Sequence, residues 1–153
     1  METAVGTGGA AGLAEYFKQA LKLKEQDPAS YSPLVLAYVG DAVYELMVRT
    51  KVVNGGNTQV NKLNRRSTRL VCATTQAKMV KLLEEELSQE ELAVFKRGRN
   101  AKSATTAKNA SVTDYRLATG FEALIGWLFL SERFARLADI VRIGLEKIGE
   151  PER

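Results

Sequence analysis

Apolar residues recur at helical spacing along almost the whole of this 153-residue chain, and no stretch alternates apolar with polar residues for long enough to build a strand. That period decides the fold class first: the chain reads as all-α. A first helix is expected over about residues 13–24, followed by the breaker QDPAS. The second has a strong start, Ser32 as cap and Pro33 at the first helical position, where a missing N–H does no harm. It should run to about Val53 and stop at Asn54-Gly55-Gly56-Asn57. A third helix follows the cap candidate Thr58, and a fourth covers about residues 74–86. Ser88 and Glu91 make a capping box, each side chain satisfying a free backbone amide, so a fifth helix should run from there to about Arg97. The segment GRNAKSATTAKNA has small, polar and basic residues with no apolar period, as a surface loop has. Ser111 and Asp114 open a helix to about Leu130, and an amphipathic helix over about residues 132–148 ends at Gly149.

The length and a 45% hydrophobic content suit one domain with a sizeable core. Residues 1–12 are expected to form a loose Gly/Ala-rich tail and residues 13–149 the domain, with no internal repeat and no second domain. The start lacks the basic and apolar pattern of a signal peptide. Asp41, Glu45 and Glu122 interrupt the two longest apolar stretches, so no membrane span is expected. Cys72, the one cysteine, can form neither an internal disulfide nor a cysteine zinc cluster. It reads as a buried, inert thiol in a cytoplasmic protein.

Histidine is absent altogether. Ser-His and Cys-His nucleophile systems, histidine bases and histidine metal sites are thereby excluded. Hydrolysis, if this chain performs any, is left to carboxylates holding a hard cation that activates water. The net charge of +4 is modest, but its distribution is not uniform. No acid occurs between Leu46 and Leu83, where Arg49, Lys51, Lys62, Arg65, Arg66, Arg69, Lys78 and Lys81 are basic. The pattern recurs between Leu92 and Thr113 with Lys96, Arg97, Arg99, Lys102 and Lys108, while Glu84–Glu86 and Glu90–Glu91 group the acids elsewhere. Segregation of this kind suits a polyanion better than two ordinary solvated faces.

Two carboxylates stand out against their surroundings. Asp41, in LVLAYVGDAVYELMV, and Glu122, in GFEALIGWLFL, lie inside apolar helices where an ionised group needs a partner. Each could pair with an arginine or reach the surface. If their helices cross, however, they converge on a site fit for Mg²⁺, which takes one or two protein carboxylates and completes its shell with water and phosphate oxygens. Glu45 shares a face with Asp41 and could add a ligand or hold a nearby water, or equally pair with Arg49. Gly40 beside Asp41, with Gly120 and Gly126 flanking Glu122, invites the close approach of another backbone.

LAYVGDAVYELMVR resembles the signature of the ribonuclease III family, an apolar helix with a Gly-Asp-Ala core, and FEALIGWLFL resembles the family's second catalytic helix. Between them, FKRGRNAKSATTAKNASVTDYR is similar to the basic loop of the Mini-ribonuclease III branch. The resemblance implies a helical endonuclease domain, homodimeric, cutting double-stranded RNA with Mg²⁺, or Mn²⁺ in its place, held by Asp41 and Glu122. It implies 5′-phosphate products, a short 3′ overhang, and a role in maturing the large-subunit (23S) ribosomal RNA precursor, with a large-subunit ribosomal protein as a further partner. Larger members carry two more acids, at positions occupied here by Ala37 and Thr119; a reduced cluster is what the Mini branch implies. The sequence ends before an appended double-stranded-RNA-binding domain could fit, so the catalytic domain is expected to grip RNA itself. A-form RNA displays phosphates and 2′-hydroxyls across a shallow groove, which suits basic, polar segments. Lys96, Arg97, Arg99, Asn100 and Lys102 lead the candidates, followed by Arg65, Arg66 and Arg69. A non-catalytic duplex-RNA or ribosome-assembly binding protein of the same fold, or a helical interaction module without RNA affinity, stays open on the residues alone.

Overall fold

A computed structural model of the chain describes residues 12–102 and 111–150. Among them are seven α-helices: α1 (Leu13–Ala20), α2 (Pro33–Asn54), α3 (Val60–Val71), α4 (Ala73–Leu83), α5 (Gln89–Asn100), α6 (Val112–Leu130) and α7 (Phe134–Lys147). Short 3-10 turns at Pro28–Ser30 and Glu84–Glu86 complete the regular structure of the described residues, which contain no strand. The all-α reading is therefore correct.

Helix α6 is the axis. Phe121, Leu124, Ile125 and Leu128 are fully enclosed, and α2, α4, α5 and α7 pack around it. Burying each such side chain contributes about 1.5–3 kcal/mol, so one apolar helix organises most of the core. Two crossings bring backbones together. A Cβ on Gly40 would collide with the Glu122 carbonyl and stand 2.8 Å from the Gly126 nitrogen; one on Gly126 would collide with the Leu36 carbonyl. At the second crossing, a Cβ on Gly98 of α5 would lie 2.9 Å from the Gly120 Cα of α6.

Local signals set most helix starts. Ser32, Ser88 and Ser111 accept backbone N–H bonds from Val35, Glu91 and Asp114, and the Ser88/Glu91 capping box is complete. Gly149, at φ 85°, ends the chain's last helical stretch as expected. Four expectations need correction. Helix α1 ends at Ala20 because the chain turns through Lys22 at φ 56°. Gln59, not Thr58, occupies the cap position of α3, without a side-chain bond. Helix α5 continues to Asn100, held by the contact of Gly98 with α6, so Gly98-Arg99-Asn100 is helix and not loop. Cys72 is exposed: it occupies the extended kink where α3 ends and α4 begins, its Sγ 3.6 Å from the Arg69 carbonyl oxygen. The expected tail over residues 1–11 and loop residues 103–110 lie outside the described residues.

The acids grouped in the middle of the chain are partly structural. Glu91, 3% exposed, takes two bonds from Arg136, Nε to Oε2 and Nη2 to Oε1, each 2.8 Å, and clamps α5 to α7. That pairing holds the Glu91 carboxyl below the usual carboxylate range. Among the described residues, no helix is long and apolar enough to cross a membrane.

Candidate active site

The Gly40–Gly126 contact decides where the two carboxylates meet. With no side chain between the backbones, α2 passes directly over α6, and Asp41 follows Gly40 on one helix while Glu122 supplies the touching carbonyl on the other. The Asp41 and Glu122 carboxyls come close enough to share a hydrogen bond when one carries a proton. The pair is asymmetric. Asp41 reaches the surface, one of the alternatives that the sequence left open, whereas Glu122 is half-buried. Burial, then the Asp41 charge, pushes the Glu122 carboxyl up to about 8, against a smaller opposite effect of a hydrogen bond from Gln76.

Gln76 is the polar residue that the sequence reading missed. It is 2% exposed on α4, and its Nε2 donates to Glu122 Oε2 at 3.2 Å and to the Val71 carbonyl at 2.8 Å. A signal existed. Gln76 falls on the buried register of α4 with Met79, Val80 and Leu83, where a glutamine must find partners. Behind it, the Tyr44 hydroxyl donates to the Leu70 carbonyl at 2.8 Å and its ring meets Phe121 edge-on at 5.2 Å, so α2, α3 and α6 are locked together beneath the pair. Burial pushes the Tyr44 hydroxyl far up, which keeps it a neutral donor.

The remaining acid positions do not join this cluster. Glu45 accepts from Arg49 Nε at 3.0 Å, the ordinary surface pairing weighed above. Ala37 is buried, and the buried Thr119 turns its hydroxyl to the Tyr115 carbonyl at 3.0 Å. No group of three or more histidine, cysteine or carboxylate side chains that could hold a metal occurs among the described residues. The donor set is thus two carboxylates, all hard oxygen, one of them facing solvent. That fits a cation whose other positions go to water and phosphate, and crowding that lifts Glu122 is what a divalent charge between the acids would relieve.

The cationic candidates fall into two groups. Lys96, Arg97 and Asn100 are exposed on the last turns of α5, Arg99 lies 5.7 Å over the Phe95 ring with its Nε bonded to Asn100, and Lys102 is exposed just beyond. Because Gly98 touches Gly120, this end of α5 packs beside α6 within one turn of Glu122. Arg65, Arg66 and Arg69 are exposed on α3 and, with Lys62, line an open groove of about 760 Å³. Arg66 and Arg69 also join Lys51 around a smaller cavity of about 200 Å³ that Glu150 helps to line.

The profile of the Ribonuclease III domain matches residues 34–133, the span from the start of α2 to the α6–α7 junction. The chain is 48% identical over 120 residues to the Mini-ribonuclease 3 of Clostridium tetani, covering 78% of this chain and 80% of that one. It is 46% identical over 127 residues to the Mini-ribonuclease 3 of Enterococcus faecalis, covering 82% and 96%. The crystal structure of a Fusobacterium nucleatum protein superposes with a TM-score of 0.72 at 30% identity, over 80% of this chain and 98% of that one. The glycine-mediated crossing of α2 and α6, the carboxylate pair beside it and these likenesses agree: the chain belongs to the ribonuclease III family, in its Mini-ribonuclease III branch, and is an endoribonuclease.

Proposed function

We propose that this chain cleaves double-stranded RNA at a site built on Asp41 and Glu122, with Mg²⁺ as the ion they hold and Mn²⁺ able to replace it. The observation that carries the reading is the convergence of these two carboxylates from separate helices at a crossing that only glycine permits. When bound, the ion supplies Lewis acidity at the scissile phosphate and lowers the pKa of the attacking water. Asp41, exposed, presents its carboxylate where a phosphate can approach; Glu122, held from behind, supplies the fixed wall. Attack at phosphorus with departure of the 3′-oxygen leaves 5′-phosphate ends. Lys96, Arg97, Arg99, Asn100 and Lys102 bind the RNA backbone near the cut, and Arg65, Arg66 and Arg69 bind it further along. Glu45 is occupied by Arg49 and is left outside the chemistry.

The proposal extends to a cytoplasmic homodimer whose two sites cut opposite strands. An apolar groove of about 690 Å³ lined by Tyr38, Leu46, Met47 and Phe129 runs beside Asp41, and Tyr38 and Leu46 are 82% and 62% exposed. That surface suits a second copy. The natural substrate on this reading is the large-subunit (23S) ribosomal RNA precursor, presented with a large-subunit ribosomal protein.

Cleavage of a labelled duplex by the purified protein, with and without Mg²⁺, tests the chemistry. Asp41→Asn keeps the size and removes the ligand charge, so it should abolish cleavage while leaving duplex binding; cleavage at the normal rate would overturn the site. Replacing Arg97 and Arg99 by alanine should weaken binding and flatten its salt dependence.

A further inference from the structure

Gln76 is more than a filled core position. Its side chain is 2% exposed, yet both N–H groups of its amide are committed: one to Val71 O at 2.8 Å, the other to Glu122 Oε2 at 3.2 Å. The Val71 carbonyl fixes which end of the amide is nitrogen, because an oxygen turned that way would face two acceptors. Its partner is the last residue of α3, immediately before the extended kink at Cys72. Glu122 therefore receives a donor whose position is set by two helices other than its own. Among the described residues no comparable hydrogen bond holds Asp41, which is exposed. One atom remains unexplained: Gln76 Oε1 is buried and has no hydrogen-bond partner among the described residues. A burial of this kind is unfavourable unless something donates a hydrogen bond there.

We propose that Gln76 is a positioning residue for the cation site, fixing the Glu122 carboxylate to the end of α3 and offering Oε1 to a water within the site. The inference rests on the reading of Asp41 and Glu122 as the cation ligands. Two features separate it from a merely structural role. The bond to Glu122 spans 46 residues and joins α4 to α6 at the carboxylate itself. The amide also places a donor on one oxygen of Glu122 while leaving the other oxygen for a cation, so the carboxylate is oriented without being consumed. Partners of this sort, one bond removed from the ion, typically contribute about 10–100-fold to metal affinity.

The test is Mn²⁺ binding to the full chain, followed by electron paramagnetic resonance, with duplex-RNA affinity in EDTA and thermal midpoint measured on the same preparations. Gln76→Leu removes the amide at similar volume, and Gln76→Asn keeps the amide one methylene short as a variant that folds if leucine does not. Both should weaken Mn²⁺ binding at least tenfold, leave RNA affinity in EDTA within about twofold, and raise the Mg²⁺ concentration needed for half-maximal cleavage. If wild-type protein binds Mn²⁺ and Asp41→Asn loses it while a folded Gln76 variant keeps wild-type affinity, the positioning role is refuted and the site stands. If Asp41→Asn also keeps wild-type affinity, the assignment of the ligands fails, and the Gln76 inference with it.

Discussion

Replacing Glu122 by glutamine should make the cation-free protein more stable, increasingly so as the pH rises. Burial and the neighbouring Asp41 charge push the Glu122 carboxyl up to about 8 from an ordinary 4.5. Between those values the folded protein holds a proton that the unfolded chain has released. Stability must then fall as pH rises through that window, and the whole penalty is in place above pH 8. At about 1.4 kcal/mol per pKa unit, the shift sets an upper bound of about 5 kcal/mol. Glu122 is only half-buried and Asp41 can swing outward, so about 2–3 kcal/mol is the expected loss between pH 5 and pH 8.5. Glutamine carries no charge, can accept the Gln76 N–H, and can donate to Asp41. Urea unfolding in EDTA across that range should show a falling profile for the wild type that Glu122→Gln lacks. Adding Mg²⁺ should lift the wild type at pH 8 and leave the variant unmoved. Parallel pH profiles for the two proteins would refute the argument, because the carboxyl would then have the same pKa folded and unfolded.

Gly126→Ala should destabilise by about 3 kcal/mol and remove activity, because its Cβ has no room against the Leu36 carbonyl; thermal denaturation and a cleavage assay check both. Arg136→Met should cost about 3–5 kcal/mol at pH 7 by stranding the buried Glu91. Since Glu91's folded pKa is depressed, its contribution is present above the ordinary carboxylate range and lost as pH falls through the folded value, so the deficit should shrink in acid. Glu132→Asn should raise the melting temperature by a few degrees, about 1 kcal/mol, because residue 132 sits at φ 61° and both its carboxylate oxygens are buried without a hydrogen-bond donor among the described residues.

Ser32, Ser88 and Ser111 were legible in the sequence because an N-cap is a local event: the bond closes within three residues, at 3.3, 3.1 and 3.0 Å. Gly40 and Gly126 were legible for another reason, since a glycine inside an apolar helix is unfavourable unless something approaches it, and here each meets the other helix's backbone. Features decided by contacts distant in sequence were not. Helix α5 outlasts its own apolar pattern because Gly98 rests on α6. Cys72 looked like a core thiol but falls at the extended kink between α3 and α4, where it is exposed. The Gln76–Glu122 bond could not be read from spacing at all; only the register of α4 hinted that the glutamine is enclosed.

A site with two carboxylates works under a different constraint from one with four. Ala37 and Thr119 fill positions beside the pair with apolar contact and a hydroxyl turned back on its own helix, so they add no negative charge. Even so, Glu122 is already lifted to about 8 by burial and a single neighbouring acid. A third carboxylate at that crossing would raise the repulsion further unless a cation were permanently bound. With two, the cation-free protein can relieve the crowding by retaining one proton, and the cation must displace it. On the reading proposed above, the ion's remaining coordination then falls to water and to RNA phosphate oxygens, so each ligand strengthens the hold on the other. On the same reading, the cations at the end of α5, one turn from Glu122, would bring phosphate to that place. On that reading, a cation site of only two carboxylates and the basic surface beside it are two halves of one arrangement, in which the substrate helps to complete the catalytic centre.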